Sequence, residues 1–185
     1  MAENTDSLSP VHAPGLRVSL EQSMHVASLR HFDPSGEFSS AVRRTMGVAL
    51  PETLRATEAA QHAGVKRTVL AWRSPTETLL LCADEAVIVQ LDSDAATLQD
   101  GCVVDQTGGL RVLGAIGEGI VDLFARMGGQ TVLPSLGEAR RSRLADIPVL
   151  ALQVQPNETL LVVERVYAEH LIEWMRSSAA QFGAM

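Results

Sequence analysis

Aromatic residues make up only 4% of this 185-residue chain, and cysteine occurs just twice. So few aromatics provide neither a stacking platform for bases nor an aromatic cofactor cage. Cys82 and Cys102 stand twenty residues apart, a spacing that matches neither a CxxC redox pair nor a paired-thiolate zinc site. Both lie in apolar, strand-like runs and read as buried, reduced thiols acting as small hydrophobes. Basic charge is also short. Fifteen Lys+Arg against 22 Asp+Glu give a net charge of −7, whereas phosphate contact needs a basic face, so nucleic acid is excluded as a partner. No segment approaches the ~20 apolar residues of a membrane helix. The opening MAENTDSLSPVHAPG has neither a cationic start nor an apolar stretch of signal-peptide length. A cytoplasmic protein without membrane contact is expected.

What the chain does have is core material. It is 46% hydrophobic and 20% charged, which excludes disorder of the whole chain. Its length suits one large domain or two small ones. Residues 1–15, polar and carrying Pro10, Pro14 and Gly15, read as a flexible arm, with the folded domain spanning 16–185. Val18, Leu20, Met24, Val26 and Leu29 supply one or two strands. Asp33-Pro34 predicts a helix start, with Asp33 as N-cap, and Gly47 with Pro51 a stop. The Ala-rich stretch 51–66 has no defined state. Val69–Trp72 and Thr78–Cys82 flank turn chemistry and read as a β-hairpin. Residues 83–99 keep helical spacing, although Val87-Ile88-Val89 could instead prolong a strand. Strands follow at 102–105 and 110–113. Ile116, Ile120, Leu123, Phe124 and Met127 then trace an amphipathic helix ended by Gly128-Gly129. Beyond a basic stretch at 140–143 come strands at 149–154 and 159–163. A last helix covers about 166–181, with Tyr167, Leu171, Trp174 and Met175 on one face.

The hairpins repeat. Pro75-Thr76-Glu77-Thr78-Leu79-Leu80 and Pro156-Asn157-Glu158-Thr159-Leu160-Leu161 match at five of six positions, 81 residues apart. Each follows a strand containing Leu-Ala and precedes a second strand and a helix. The chain therefore reads as an α+β fold, a β-α-β-β-α unit used twice, with halves at about 16–100 and 101–185. Helices should pack on antiparallel sheets.

Chemical candidates are few. Gly114-Ala115-Ile116-Gly117-Glu118-Gly119 leads from a strand into a helix, but its GxxGxG order reverses the dinucleotide fingerprint and no Lys-Ser/Thr follows. Glycines easing a strand-to-helix turn explain it better. His12, His25, His31, His62 and His170 are scattered. On one strand, His25 and His31 would share a face but stand about 20 Å apart, too far to chelate one metal. His170 lies one helical turn from Glu173, a spacing that suits a surface hydrogen bond. Asp105, ending a strand before a Gly-Gly turn, could bind an amine or cap its own backbone, and capping is the commoner use. Trp72 and Trp174 fit a core or an interface equally. No Gly-x-Ser-x-Gly elbow occurs. No catalytic, cofactor-binding or metal-binding residue is assigned.

Trp72-x-Ser74-Pro75-x-Glu77 followed by Leu79-Leu80-Leu81 resembles the gamma subunit of heterotetrameric sarcosine oxidase. So do Val104-Asp105-Gln106-Thr107-Gly108-Gly109, Leu110-Arg111-Val112-Leu113-Gly114 and Arg143-Leu144-Ala145-Asp146-Ile147-Pro148-Val149-Leu150. The motifs come in the family's order from about residue 16 to the final helix, with Ser74 for the usual Gly, Thr107 for Ser and Ser142 for Thr. The resemblance implies a fold like the folate-binding aminomethyltransferase domains. It also implies a non-catalytic subunit assembled with alpha, beta and delta chains. In that family the complex demethylates sarcosine to glycine, and FAD, FMN, NAD, tetrahydrofolate and zinc belong to the other chains. Related complexes oxidise other N-methylated amines. Two further readings remain: an autonomous folate-binding aminomethyltransferase-like protein, although such enzymes are about twice this length, and a stand-alone interaction module. An obligate subunit would expose an apolar patch and leave 51–66 and 130–143 poorly ordered until a partner covers them.

Overall fold

The computed structural model describes residues 8–59, 67–128 and 133–181. Among these the chain forms β1 (Val11–Ala13), β2 (Leu16–Leu20), β3 (His25–His31), α1 (Glu37–Met46), β4 (Ala56–Glu58), β5 (Thr68–Ser74), β6 (Glu77–Cys82) and α2 (Ala86–Ala95). It continues with β7 (Gly101–Asp105), β8 (Leu110–Ile116), α3 (Ile120–Met127), β9 (Glu138–Leu144), β10 (Ile147–Gln155), β11 (Glu158–Glu164) and α4 (Arg165–Ala179). The result is α+β, with two antiparallel sheets ordered β4-β5-β6-β3-β7 and β1-β2-β8-β11-β10-β9.

Two compact units hold these sheets. One gathers Ser23–Gly108 with Gly137–Ala139; the other gathers Met1–Gln22, Gly109–Leu136 and Arg140–Met185. In the first, α1 and α2 cover one face of the sheet, and Phe38, Val42, Ile88 and Leu91 pack against Ala27, Leu29, Leu70 and Leu80. In the second, Leu123, Phe124, Leu171 and Met175 from α3 and α4 pack against Val18, Leu113, Leu161 and Val163. The alternate residues of the central strands are buried as well, among them Val69, Leu79 and Leu81 in one sheet and Val112, Leu152 and Leu160 in the other. Strands buried on both faces read as continuous apolar runs, which is why 78–82 and 159–163 lack alternation.

The repeat is real in three dimensions, with one strand more per copy than its sequence signature: β3-α1-β4-β5-β6-α2 and β8-α3-β9-β10-β11-α4. Equivalent backbone bonds confirm the match. His31 N–H donates to the Thr76 carbonyl (3.1 Å), and Gly117 N–H donates to that of Asn157 (2.8 Å). Both hairpins also shift register just before their turns, between Trp72 and Ser74 and between Leu152 and Gln155. One strand of each sheet is exchanged. β2 precedes the first repeat but pairs with β8 of the second, while β7 precedes the second but pairs with β3 of the first. Gln106 N–H donates to Val26 O (2.8 Å) as Glu21 N–H does to Val112 O (2.9 Å), so β7 and β2 occupy equivalent places.

Several expectations are corrected. Within the arm expected over 1–15, Val11–Ala13 pairs with β2, Val11 is buried, and Pro14-Gly15 makes the turn with Gly15 at φ +65°. Residues 1–7 lie outside the described ones. The 51–66 stretch contains β4, and its residues 60–66 lie outside the described ones. The basic stretch expected as loop is strand β9, closed by a two-residue turn with Ala145 and Asp146 both left-handed (φ +47° and +63°). α1 begins at Glu37, three residues after Pro34. Asp33 caps its own turn by accepting from Ser35 N–H (2.8 Å), and the Phe38 N–H at the helix start goes to the Asp100 carboxylate (3.1 Å) instead. α2 is shorter than 83–99.

Candidate functional site

The glycine-rich turn invites a ligand reading first. Gly114, Ala115 and Ile116 belong to β8, Gly117–Gly119 make the turn, and α3 starts at Ile120. Gly117 N–H is bonded to Asn157 O, and Gly119 N–H to Gly15 O at 2.9 Å. Two of the donors that could face a phosphate there are thus used by the protein itself. Gly117 sits at φ +113°, where a Cβ would meet the Gly15 carbonyl oxygen at 2.1 Å, and the Glu21 carboxylate lies over Gly114. The glycines permit close backbone approach in a turn.

The carboxylates are similarly engaged. Asp105 accepts from Thr107 N–H at 2.8 Å, and this bond, with that of the Thr107 hydroxyl, holds its carboxyl below the usual range. Thr107 Oγ1 in turn accepts from Val26 N–H (3.1 Å), so Asp105 and Thr107 clip the end of β7 to β3. Glu77, the acid of the repeated hairpin motif, accepts from Ser28 Oγ (2.7 Å) and Arg73 Nη1 (3.0 Å). Ser28 is buried, and a buried hydroxyl needs that partner.

His25 and His31 do lie at opposite ends of β3. His31 is 5% exposed, and neither ring nitrogen finds a hydrogen-bond partner. Burial lowers its pKa, keeping the imidazole neutral. On the same sheet face the Thr78 hydroxyl is also buried without a partner, as is that of its repeat counterpart Thr159. Among the described residues no group of three or more His, Cys, Asp or Glu is placed to hold a metal.

Of the two cysteines, Cys82 is buried and its thiol is pushed up to about 11, chiefly by burial. A thiol with that pKa is not a nucleophile at neutral pH. Cys102 is exposed, contrary to expectation, because β7 is an edge strand and residue 102 points to its uncovered face.

The surface offers more than the interior. In α4, Ala168, Leu171, Ile172 and Met175 are buried, whereas Val166 is 76% exposed, Trp174 48% and Tyr167 42%. Tyr167 and Trp174 therefore flank the buried arc rather than share it with Leu171 and Met175. Trp174 Nε1–H donates to His170 Nε2 at 3.1 Å, so the partner of His170 is this indole and not Glu173. The rings stand edge to face at 6.4 Å. Such an amphipathic aromatic is suited to an interface. Trp72 is half-buried in β5, paired with Thr78. None of these exposures could be read from the sequence, because each depends on which side of an apolar arc a neighbour covers.

No known family model and no curated protein matches the sequence. The structure is similar to a chain of heterotetrameric sarcosine oxidase from Corynebacterium sp. U-96, solved in complex with pyrrole 2-carboxylate. The TM-score is 0.80 at 21% identity, over 95% of this chain and 90% of that one. It is also similar to glycine cleavage system aminomethyltransferase T from Bartonella henselae, with TM-score 0.65 and 12% identity, over 85% of this chain and 44% of that one. The chain thus spans under half the length of the aminomethyltransferase but nearly the full length of the oxidase chain. Both likenesses establish the fold expected from the sequence motifs.

Proposed function

We propose that this chain is a non-catalytic assembly subunit of a sarcosine-oxidase-type flavoenzyme complex, the counterpart of that family's gamma subunit. The observation that carries the reading is the end-to-end likeness, 95% of this chain against 90% of the oxidase chain. The likeness to the aminomethyltransferase, at TM-score 0.65 and over 44% of that chain, is the weaker of the two. The glycine turn fits the same reading, since the Gly117 and Gly119 N–H groups are bonded within the protein. The exposed Val166, Tyr167 and Trp174 fit it as well. In this reading alpha, beta and delta chains complete a cytoplasmic complex. They carry FAD, FMN, NAD and zinc, and the complex oxidatively demethylates sarcosine or a related N-methyl amine, passing the one-carbon unit to tetrahydrofolate.

The test uses the chain alone. It is expected to purify without flavin absorbance, to leave sarcosine unoxidised and to give no heat when tetrahydrofolate is titrated in. Turnover by the lone chain overturns the proposal. Stoichiometric heat with tetrahydrofolate supports instead a folate-binding protein of the aminomethyltransferase kind.

A further inference from the structure

Among the described residues the two sheets have four outer strands, and three are guarded. β1 and β4 are three residues each. The outer side of β4 is also occupied: Ala56 N–H donates to Gly137 O (3.0 Å), Ala139 N–H donates to Leu54 O (2.9 Å), and Arg55 bridges to Glu138. β9 carries Arg140, Arg141 and Arg143, charges of the kind that discourage pairing along an edge. β7, Gly101-Cys102-Val103-Val104-Asp105, has five residues and no Lys, Arg or Pro.

Its hydrogen-bond parity is fixed by its ends. Phe32 N–H donates to Asp100 O (2.9 Å) and Gln106 N–H to Val26 O (2.8 Å). The pairs Arg30–Cys102 and Ser28–Val104 therefore exchange bonds with β3. Gly101, Val103 and Asp105 direct their main-chain N–H and C=O groups outward. Val103 packs against the core under α1 and α2, which turns Cys102 and Val104 to the opposite face. There both are exposed, beside exposed Arg30 and a 75%-exposed Phe32.

We propose that β7 is a β-addition site for an extended segment of a partner polypeptide. The segment would set apolar side chains at alternate positions against Cys102 and Val104, with a carboxylate to meet Arg30. A second copy of this chain is a poorer occupant. Five residues span only about 17 Å, and one such strand pair falls far short of the roughly 800 Å² per partner of a stable interface. The donor therefore belongs to a larger chain that holds this protein elsewhere too. The inference rests on the subunit reading for the existence of that chain.

Amide hydrogen exchange on the chain alone, and on the chain assembled with its sarcosine-oxidase-type partner chains, tests this without altering a residue. Assembly should slow the Val103 and Asp105 amides by about tenfold or more. Val104→Lys adds a guarding charge on the exposed face while leaving the β3–β7 bonds in place, and should weaken association by about tenfold or more. A complex in which both amides stay fast and V104K assembles like wild type overturns the edge inference and leaves the subunit reading intact. Failure of the wild type to assemble overturns the subunit reading, and the edge inference falls with it. A lone chain that dimerises, and loses the dimer with V104K, assigns the edge to a second copy and likewise overturns the proposal.

Discussion

A Cβ at Gly117 would stand 2.1 Å from the Gly15 carbonyl oxygen at a φ of +113°, a backbone conformation that side chains rarely adopt. Gly117→Ala is expected to cost at least about 2 kcal/mol, read as a lowered Tm, whereas Gly108→Ala, with open space around it, should stay within about 0.5 kcal/mol. Equal effects would show that the turn is not under this constraint. Asp100 makes a similar point at the start of α1. Its carboxylate accepts Phe38 N–H from 62 positions away, so Asp100→Ala should destabilise the chain by about 1 kcal/mol. Asp33, the cap suggested by local spacing, serves its own turn. Long-range caps of this kind leave no local signal. His31 sets a pH dependence. Burial lowers its pKa in the folded state, so below about pH 6.5, the value for an unperturbed imidazole, the unfolded chain takes up a proton that the folded chain resists. Stability therefore falls as pH drops through that window and levels off once the buried ring is protonated too. Thermal melts from pH 7.5 to 5 should show His31→Phe with a shallower decline than wild type; parallel declines would remove His31 as the cause.

At the scale of elements, the central hairpins and the helices were legible because their apolar runs and stripes bury whole faces. β5–β6, β10–β11 and the amphipathic stripe of α3 follow directly from residue spacing. β4 and β9 were not legible, and the reason is physical. An edge strand needs few apolar residues, and β9 buries only Ala139 and Leu144, one on either side of its arginines. Its turn uses Ala145 at φ +47° where Asn or Gly is at ease. Ala145→Asn should relieve that strain and raise stability by about 0.5–1 kcal/mol; an unchanged or lowered midpoint in urea would contradict the turn geometry. Cys102 was misread for a related cause, since β7 looks like a core strand until its place at the sheet edge is known. The exposed α4 and β7 faces came only with the fold, because each depends on which side of an apolar run a neighbour covers.

For the whole molecule, duplication was visible in one hexapeptide pair, but the exchange of β2 and β7 between the repeats was not. Pairing of β2 with β8 closes over some ninety residues of sequence, and no local pattern encodes such a partner. The same exchange gives the two compact units boundaries that differ from the two sequence halves. The proposed role is that this fold serves a larger assembly rather than chemistry of its own. Co-expression with alpha, beta and delta chains of the sarcosine-oxidase type, followed by size-exclusion chromatography, tests that claim most directly. This chain is expected to elute with the flavin-bearing chains in one heteromeric peak. Elution of the chain by itself, with the flavin-bearing chains assembled without it, would rule out the subunit role.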